Sequence, residues 1–590
     1  GTAPNWIFTL WYDTYQPVSV TLAPGKAYHN SLATISGTGS DTHSGVDKVD
    51  ARIVWTSSTT AGGVNPSWNE TDLKWQDAAF WIATAWWVDG SSWNYTLKYP
   101  TAVWTNGEEY KTISRAADKA LLVANKEGAG DGNAGVQFKY DISTPTAKIE
   151  LPSDGLAYTS IPTISGTLSD TPWGNSAVSK IEVAVYNHVL GKWLTHNVGF
   201  DKTSINFFDN NVSFVTNVVP STWTYTLSGS FTPANDVKYT VCVRAKDGAG
   251  NVMDNFVLGT SSNTFIYDTA RPESAVVNPA ESDKRNLSTI GTISGTSDDP
   301  GTYFAEVSSV TILIRNTDDN KYWTGSAWAT WYSTYPYIAG VTTETVTAQR
   351  IRWLYKDITV DWAGMGGDRN VAVNVRAYDK ALPDSNDENV ISTRAFVYDN
   401  SPPTAVIERP KQQPNPSYIK ELLTISGTAD GALSGLKAVR LTIKAETGGQ
   451  AGNYWQDSTS AWYSTSTWNV CTTANNWTYT AVPSWQSGAK YALDVKTTDY
   501  ANNVQTVIAT TTFLFDNTVP TVGITAPTDD GNYGPQNQLL TLTGSCDDPV
   551  GGGGAASGLN RVTLMLKDTT QSTTYYNWAT QVWENASTLT

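Results

Sequence analysis

The chain has 590 residues and a formal net charge of −16, from 39 Lys and Arg against 55 Asp and Glu. With no basic cluster, this balance argues against a nucleic-acid backbone as partner and suits metal cations better. No stretch approaches the roughly 18 to 20 apolar residues of a membrane span, and no basic region with an apolar core opens the sequence.

One motif organises everything else: Asp, three residues, Pro, six residues, Pro. It stands at Asp13, Pro17 and Pro24; Asp141, Pro145 and Pro152; Asp268, Pro272 and Pro279; Asp399, Pro403 and Pro410; and Asp516, Pro520 and Pro527. The spacing, roughly 120 to 130 residues, is that of a small domain and not of a solenoid turn. It divides the chain into the last strand of a preceding repeat (1–13), repeats at 14–142, 143–269, 270–400 and 401–517, and an incomplete repeat at 518–590. Neither end falls on a repeat boundary, which predicts a piece of a much longer chain. Cys242, Cys471 and Cys546 fall in three different repeats, so none can form a disulfide within its own.

The second repeat shows the elements in order. PTAKIELP, from Pro145 to Pro152, alternates in polarity between two prolines and reads as an edge strand. TISGT at Thr163 follows, matched by TISGT at Thr34, Thr292 and Thr424 and TLTGS at Thr541, a short strand running into an acidic loop. Ile181, Val183 and Val185 alternate with polar or small residues, as do Val310, Ile312 and Ile314, then Val439, Leu441 and Ile443, then Val562, Leu564 and Leu566. Period two with one apolar face is a half-buried strand.

A Trp-rich stretch comes next, clearest as KYWTGSAWATWY from Lys321, NYWQDSTSAWY from Asn453 and YYNWATQVW from Tyr575, where Gly, Asp and Ser between aromatics predict a hairpin. A Trp-x-Tyr pair then recurs at Trp93, Trp223, Trp353 and Trp477. It leads to YTVCVRAKD from Tyr239, echoed by YALDVKTTD from Tyr491 and VAVNVRAYD from Val371. Tyr239 and Tyr491 are placed to act as tyrosine corners, with Val371 showing that the third repeat does without one. A loop often containing AGN or ANN precedes a last strand ending at Asp141, Asp268, Asp399 or Asp516. About seven strands and no helical period predict an all-β chain, a tandem array of immunoglobulin-like antiparallel sandwiches forming an elongated rod.

FLFDNTVP at Phe513, FVYDNSPP at Phe396, the TISGT strands and KDGAGN at Lys246 resemble the bacterial immunoglobulin-like (Big-type) repeats of very large surface proteins and adhesins. The resemblance covers essentially the whole chain. It implies an extracellular, cell-surface location and a stalk, filament or coat role, with copies of the chain or neighbouring surface subunits as partners. Two other functions fit the same fold: a glycan-binding adhesin, and the noncatalytic array of a secreted carbohydrate-active enzyme.

Catalysis finds no support in motifs: His29, His43, His188 and His196 lie in no repeated context, and GxSxG, HExxH, Walker and CxxC patterns are absent. The acidic loops carry more. In this topology the linker, the loop after the second strand and the loop after the sixth share one pole. That gathers Asp13, Asp41 and Asp118; Asp141, Asp170 and Asp247; Asp268, Asp298, Asp299 and Asp379; and Asp399, Asp430 and Asp499. Each group could hold Ca²⁺, a hard cation taking 6 to 8 oxygen ligands; alternatively each Asp bonds only its own turn. The resemblance adds that some such adhesins carry calcium at domain junctions. The hairpin tryptophans Trp323, Trp328, Trp455, Trp462, Trp578 and Trp583 are the candidate interaction residues, for a neighbouring subunit or a sugar, against the alternative that they cover their own sheet.

Overall fold

The computed structural model describes residue 7 and residues 9–585, apart from 60–62, 83–85, 88–90, 121–124, 128–133, 171–175, 217–219, 228–230, 331–335, 340, 356–359, 412–416, 552–553 and 571–573. Four sandwiches follow one another, each with its own apolar core.

In the second unit a four-stranded sheet runs in the order Thr146–Leu151, Thr163–Ser169, Ser221–Thr226, Val212–Val215. The facing six-stranded sheet runs Leu156–Tyr158, Ser262–Tyr267, Val237–Asp247, Val178–Asn187, Lys192–Thr195, Gly199–Lys202. This is the strand order of an immunoglobulin sandwich with the extra hairpin of the variable type. The first and third units repeat both sheets, and the fourth repeats the pattern with a three-stranded first sheet.

The opening segment behaves differently from a single edge strand. It pairs antiparallel with the TISGT strand as far as Leu151, breaks at Pro152, and re-forms at Leu156–Tyr158 in the opposite sheet, parallel to the last strand. Proline cannot donate to a ladder, so the break falls there and the segment changes sheets. Each sheet ends on a short strand drawn from this one segment.

The alternation expected of the third strand is present, with Ile181, Val183 and Val185 buried against Trp223, Tyr225 and Val241. Trp-rich stretches form the predicted hairpins at Lys321–Trp323 with Trp328–Thr330, Tyr454–Gln456 with Ala461–Tyr463, and Thr574–Asn577 with Val582–Asn585. Among the described residues three tyrosine corners form at the start of a sixth strand. Tyr239 and Tyr491 each accept, at the phenol oxygen, the N–H five residues upstream, from Ala234 and Gln486, at 3.0 Å. Tyr110 does the same with Thr105 at 2.8 Å, although its strand lacks the clean alternation of the others.

Both ends depart from expectation. Residues 1–6 and 8 lie outside the described residues, and residues 9–13 form no strand, with Trp11 and Tyr12 exposed. In the fifth unit Val562 and Leu564 are exposed and in no strand. In each of the four preceding units the third strand pairs with the sixth.

Candidate metal centres at the joints between units

The last strand of each complete unit runs into an aspartate that staples the linker. Asp141 accepts the N–H of Ser143 on Oδ1 at 2.9 Å and, on Oδ2, the N–H of Ser176 from the next unit's second loop at 3.1 Å. Asp268 repeats this with Ala270 and Ala305, Asp399 with Ser401 and Ser434, Asp516 with Thr518 and Ser557, and Asp13 with Tyr15 and Ser44. The Oδ1 bond is the turn bonding that Asp makes locally, whereas the Oδ2 bond reaches the second loop of the next unit.

A second aspartate ends the sixth strand. Asp247 accepts the Gly250 and Asn251 N–H groups on Oδ1 and the Asn251 side-chain amide on Oδ2. That same amide also donates to the carbonyl of Asp141 at 2.8 Å, so Asn251 joins both aspartates. Asn125, Asn386 and Asn503 make the equivalent bonds to Asp13, Asp268 and Asp399. Sequence reading noticed AGN and ANN without seeing the role of their last residue, and this repeated Asn was the available signal.

The third aspartate is different because it carries buried oxygens without hydrogen-bond partners. Asp299 is fully buried, and neither carboxylate oxygen has a hydrogen-bond partner; the same holds for buried Asp170 among the described residues, and for Asp41 Oδ1. One ligand oxygen from each member of Asp13, Asp41 and Asp118, of Asp141, Asp170 and Asp247, and of Asp268, Asp299 and Asp379 lies within 4.8 Å of the others in its group. Burial, reinforced by the negative charges of Asp268 and Asp379, pushes the Asp299 carboxyl up to about 7. The N–H groups of Ala305 and Glu306 oppose that rise from nearby without making a hydrogen bond of normal geometry to it; that of Ala305 is committed to Asp268. Burial, with Asp141 and Asp247, likewise pushes Asp170 up to about 6. An unpaired carboxylate at the centre of two others is a costly arrangement that a divalent cation would relieve.

Two predicted ligands fall elsewhere. Asp298 points the opposite way from Asp299 and pairs with Arg350 at 2.6 Å, because adjacent residues of a strand face opposite sides. Asp430 aligns with Asp298 and not with Asp299: it is exposed and bonds the N–H of Ala432. Gly431 occupies the third-carboxylate position of the fourth unit, and a β-carbon there would lie 2.2 Å from the backbone nitrogen of Leu436. Asp399 and Asp499 therefore form a joint with two carboxylates.

The tryptophans correct the surface reading. Trp323 and Trp455 are buried, with indole N–H groups donating to Tyr355 Oη at 3.2 Å and Ala481 O at 2.8 Å. Trp328 packs on Trp323 and Trp362 and donates to Asp361 O, while Trp462 stacks on Tyr491. The hairpin folds back over its own sheet, so these four rings form no outward row. Trp578 and Trp583, in the fifth unit, are about half exposed.

No family model and no curated protein matches the chain. Among solved structures it is similar to a tetra-tandem repeat in the extending region of a large adhesion protein, at 14% identity over 83% of this chain and 97% of that one, with a TM-score of 0.26. It is also similar to part of a 1.5-MDa bacterial ice-binding adhesin (12% identity, 63% and 98% covered, TM-score 0.25) and to fibronectin(III)-like modules of Clostridium thermocellum CbhA (11%, 41% and 94%, TM-score 0.20). The fold assignment rests on the strand order and register above and not on these likenesses.

Proposed function

We propose that this chain is a structural segment of a bacterial extracellular surface protein, a stalk or filament element whose joints are stiffened by calcium. The observation that carries the reading is Asp299, buried without a partner between Asp268 and Asp379. A cation there would tie three elements together: the linker through Asp268, the second loop through Asp299 and the sixth-strand end through Asp379. Ca²⁺ fits best, since carboxylates and backbone carbonyls at about 2.3 to 2.6 Å suit its flexible shell, whereas Mg²⁺ demands near-ideal octahedral geometry and keeps its water. The groups at Asp13 and Asp141 would act alike.

The role is mechanical. Copies of the chain or neighbouring surface subunits are the partners this reading implies, and it needs no nucleic acid and no catalysis. Calorimetric titration of the whole chain with Ca²⁺ tests it: three sites are expected, and Asp299→Asn should remove one. No heat of binding up to millimolar Ca²⁺, or a bending stiffness in solution that chelator leaves unchanged, would sink the reading.

A further inference from the structure

The joints differ in a respect that has nothing to do with cations. In the first and third units the tying asparagine lies seven residues after the sixth-strand aspartate, Asp118 to Asn125 and Asp379 to Asn386. In the second and fourth it lies four residues after, Asp247 to Asn251 and Asp499 to Asn503. The same alternation appears beneath the first strand. Glu127 and Glu388 accept the N–H groups of Ser19 and Ser274 in the odd units, whereas in the even units Met253 Sδ accepts the Ala147 N–H and Gln505 Nε2 donates to Ala405 O.

The long loop of the third unit reaches back onto the second. Leu382 donates its N–H to Ala157 O at 3.0 Å and accepts the Thr159 N–H, a parallel bridge to Tyr158 that extends the six-stranded sheet across the joint. Thr159 Oγ1 donates to Leu382 O and Asp384 O, and Asp236 Oδ1 receives the N–H groups of Thr302 and Tyr303 at 2.7 and 2.6 Å. Ala157, Ala305 and Ala381 are buried together against Ile266. At the next joint of this type Ala555 N–H bonds Gly488 O at 3.1 Å, and Gly488 stands where Asp236 does, three residues before the corner tyrosine.

The other two joints have no backbone-to-backbone bond across them among the described residues. Between the first and second units Asn30 Nδ2 donates to Asn251 Oδ1 at 3.2 Å. Between the third and fourth, Asn286 does the same to Asn503 at 3.0 Å, and Lys284 reaches Ser434 O and lies over the Tyr500 ring. Bonds made through side chains leave rotamer freedom, whereas two successive backbone bonds and a packed apolar patch fix both bend and twist.

We infer that the joints alternate between clasped and hinged, so that the mechanical building block is a pair of units, the second clasped to the third, with hinges on both sides of the pair. The clasp is made of backbone bonds and alanines and works without a cation, so it stands apart from the calcium reading.

Spin-label distance measurements on the whole chain decide it, in a Cys546→Ser background, the other two cysteines being buried. Label pairs would be Thr38→Cys with Lys148→Cys, Lys148→Cys with Thr343→Cys, and Thr343→Cys with Glu408→Cys, one pair across each joint. In EDTA the middle pair should give a distribution no more than half as wide as the outer two. Replacing residues 380–385 by the Tyr-Ala-Asn of 500–502 should widen it to match them. Ala157→Arg, which leaves that loop intact and forces the apolar patch apart, should do the same with an unchanged circular dichroism spectrum. Equal widths at all three joints in EDTA, or a middle distribution that stays narrow in both variants, would overturn the inference. Absent calcium binding with a narrow middle distribution would sink only the cation reading.

Discussion

Gly295 and Trp353 are cross-strand partners, and the indole occupies the space that a β-carbon at 295 would need: an added Cβ would stand 2.4 Å from Trp353 Cζ2 and 1.9 Å from the carbonyl oxygen of Ala275. The same pairing joins Gly37 to Trp93, Gly166 to Trp223 and Gly427 to Trp477. Two sequence signatures, the glycine of TISGT and the tryptophan of Trp-x-Tyr, are thus one contact. Its indole fills the core while the glycine lets the first strand approach from the other side.

Substituting Ala at Gly295 or Gly427 should therefore destabilise the unit concerned by at least about 3 kcal/mol, the upper end of overpacking, since the nearest atom is a backbone carbonyl that cannot swing away. Hydrogen exchange over residues 273–398 or 404–515 reads this unit by unit. An unchanged exchange rate would mean that the strands can slide apart at no cost.

Cation-free stability should depend on pH with an inverted sign. The Asp299 carboxyl titrates at about 7 when folded against an ordinary value of 3.8, so between these values the folded state holds a proton that the unfolded chain has released. Stability of the third unit then falls as pH rises through this window and is lowest above it, by on the order of 2–4 kcal/mol. In EDTA its Tm should be higher at pH 5 than at pH 8, and millimolar Ca²⁺ should reverse the order. A Tm that rises with pH in EDTA would contradict the geometry.

Asp299→Asn keeps the shape and removes the charge. In EDTA at pH 8 this variant should be more stable than the parent by about 1–3 kcal/mol, because it relieves a buried unpaired carboxylate. It should also lose the Ca²⁺ stabilisation of the third unit. The fourth unit, with Gly431 in place of the third carboxylate, should show neither effect when Asp399 is changed to Asn beyond the loss of its two staple bonds.

Tyr110→Phe, Tyr239→Phe and Tyr491→Phe should each cost about 1 kcal/mol, the net worth of one hydrogen bond lost at a partly buried site. Equal costs in the three units are expected even though only two of the strands alternate cleanly. Denaturation followed by unit-resolved hydrogen exchange measures each one, and a neutral Tyr110→Phe would show the first-unit corner to be incidental.

Truncating the hairpin tryptophans should act on stability and not on association. Trp323→Ala and Trp455→Ala remove buried rings and should each cost about 3–5 kcal/mol. Light scattering of the folded protein at fixed concentration should show no change in mass. A loss of association without a loss of stability would return these rings to the surface.

The repeat, the strands, the hairpins and the gathering of aspartates at one pole were all legible in the sequence, because period two, proline and turn chemistry act over a few residues. TISGT, YTVCVRAKD and the Asp-Pro linkers name their elements without outside help. What the sequence did not decide depends on a single residue of register or on which way an element folds. Asp298 and Asp299 differ by one position, and a one-residue step along a strand turns a side chain to the opposite face; the same step separates Asp430 from Gly431. Whether Trp323 faces solvent or core depends on how the hairpin closes over the sheet, which no local rule states. The tie through Asn251 and its counterparts, and the clasp of Leu382 on Ala157 and Thr159, join residues over a hundred positions apart, so only the packed tertiary structure brings them together.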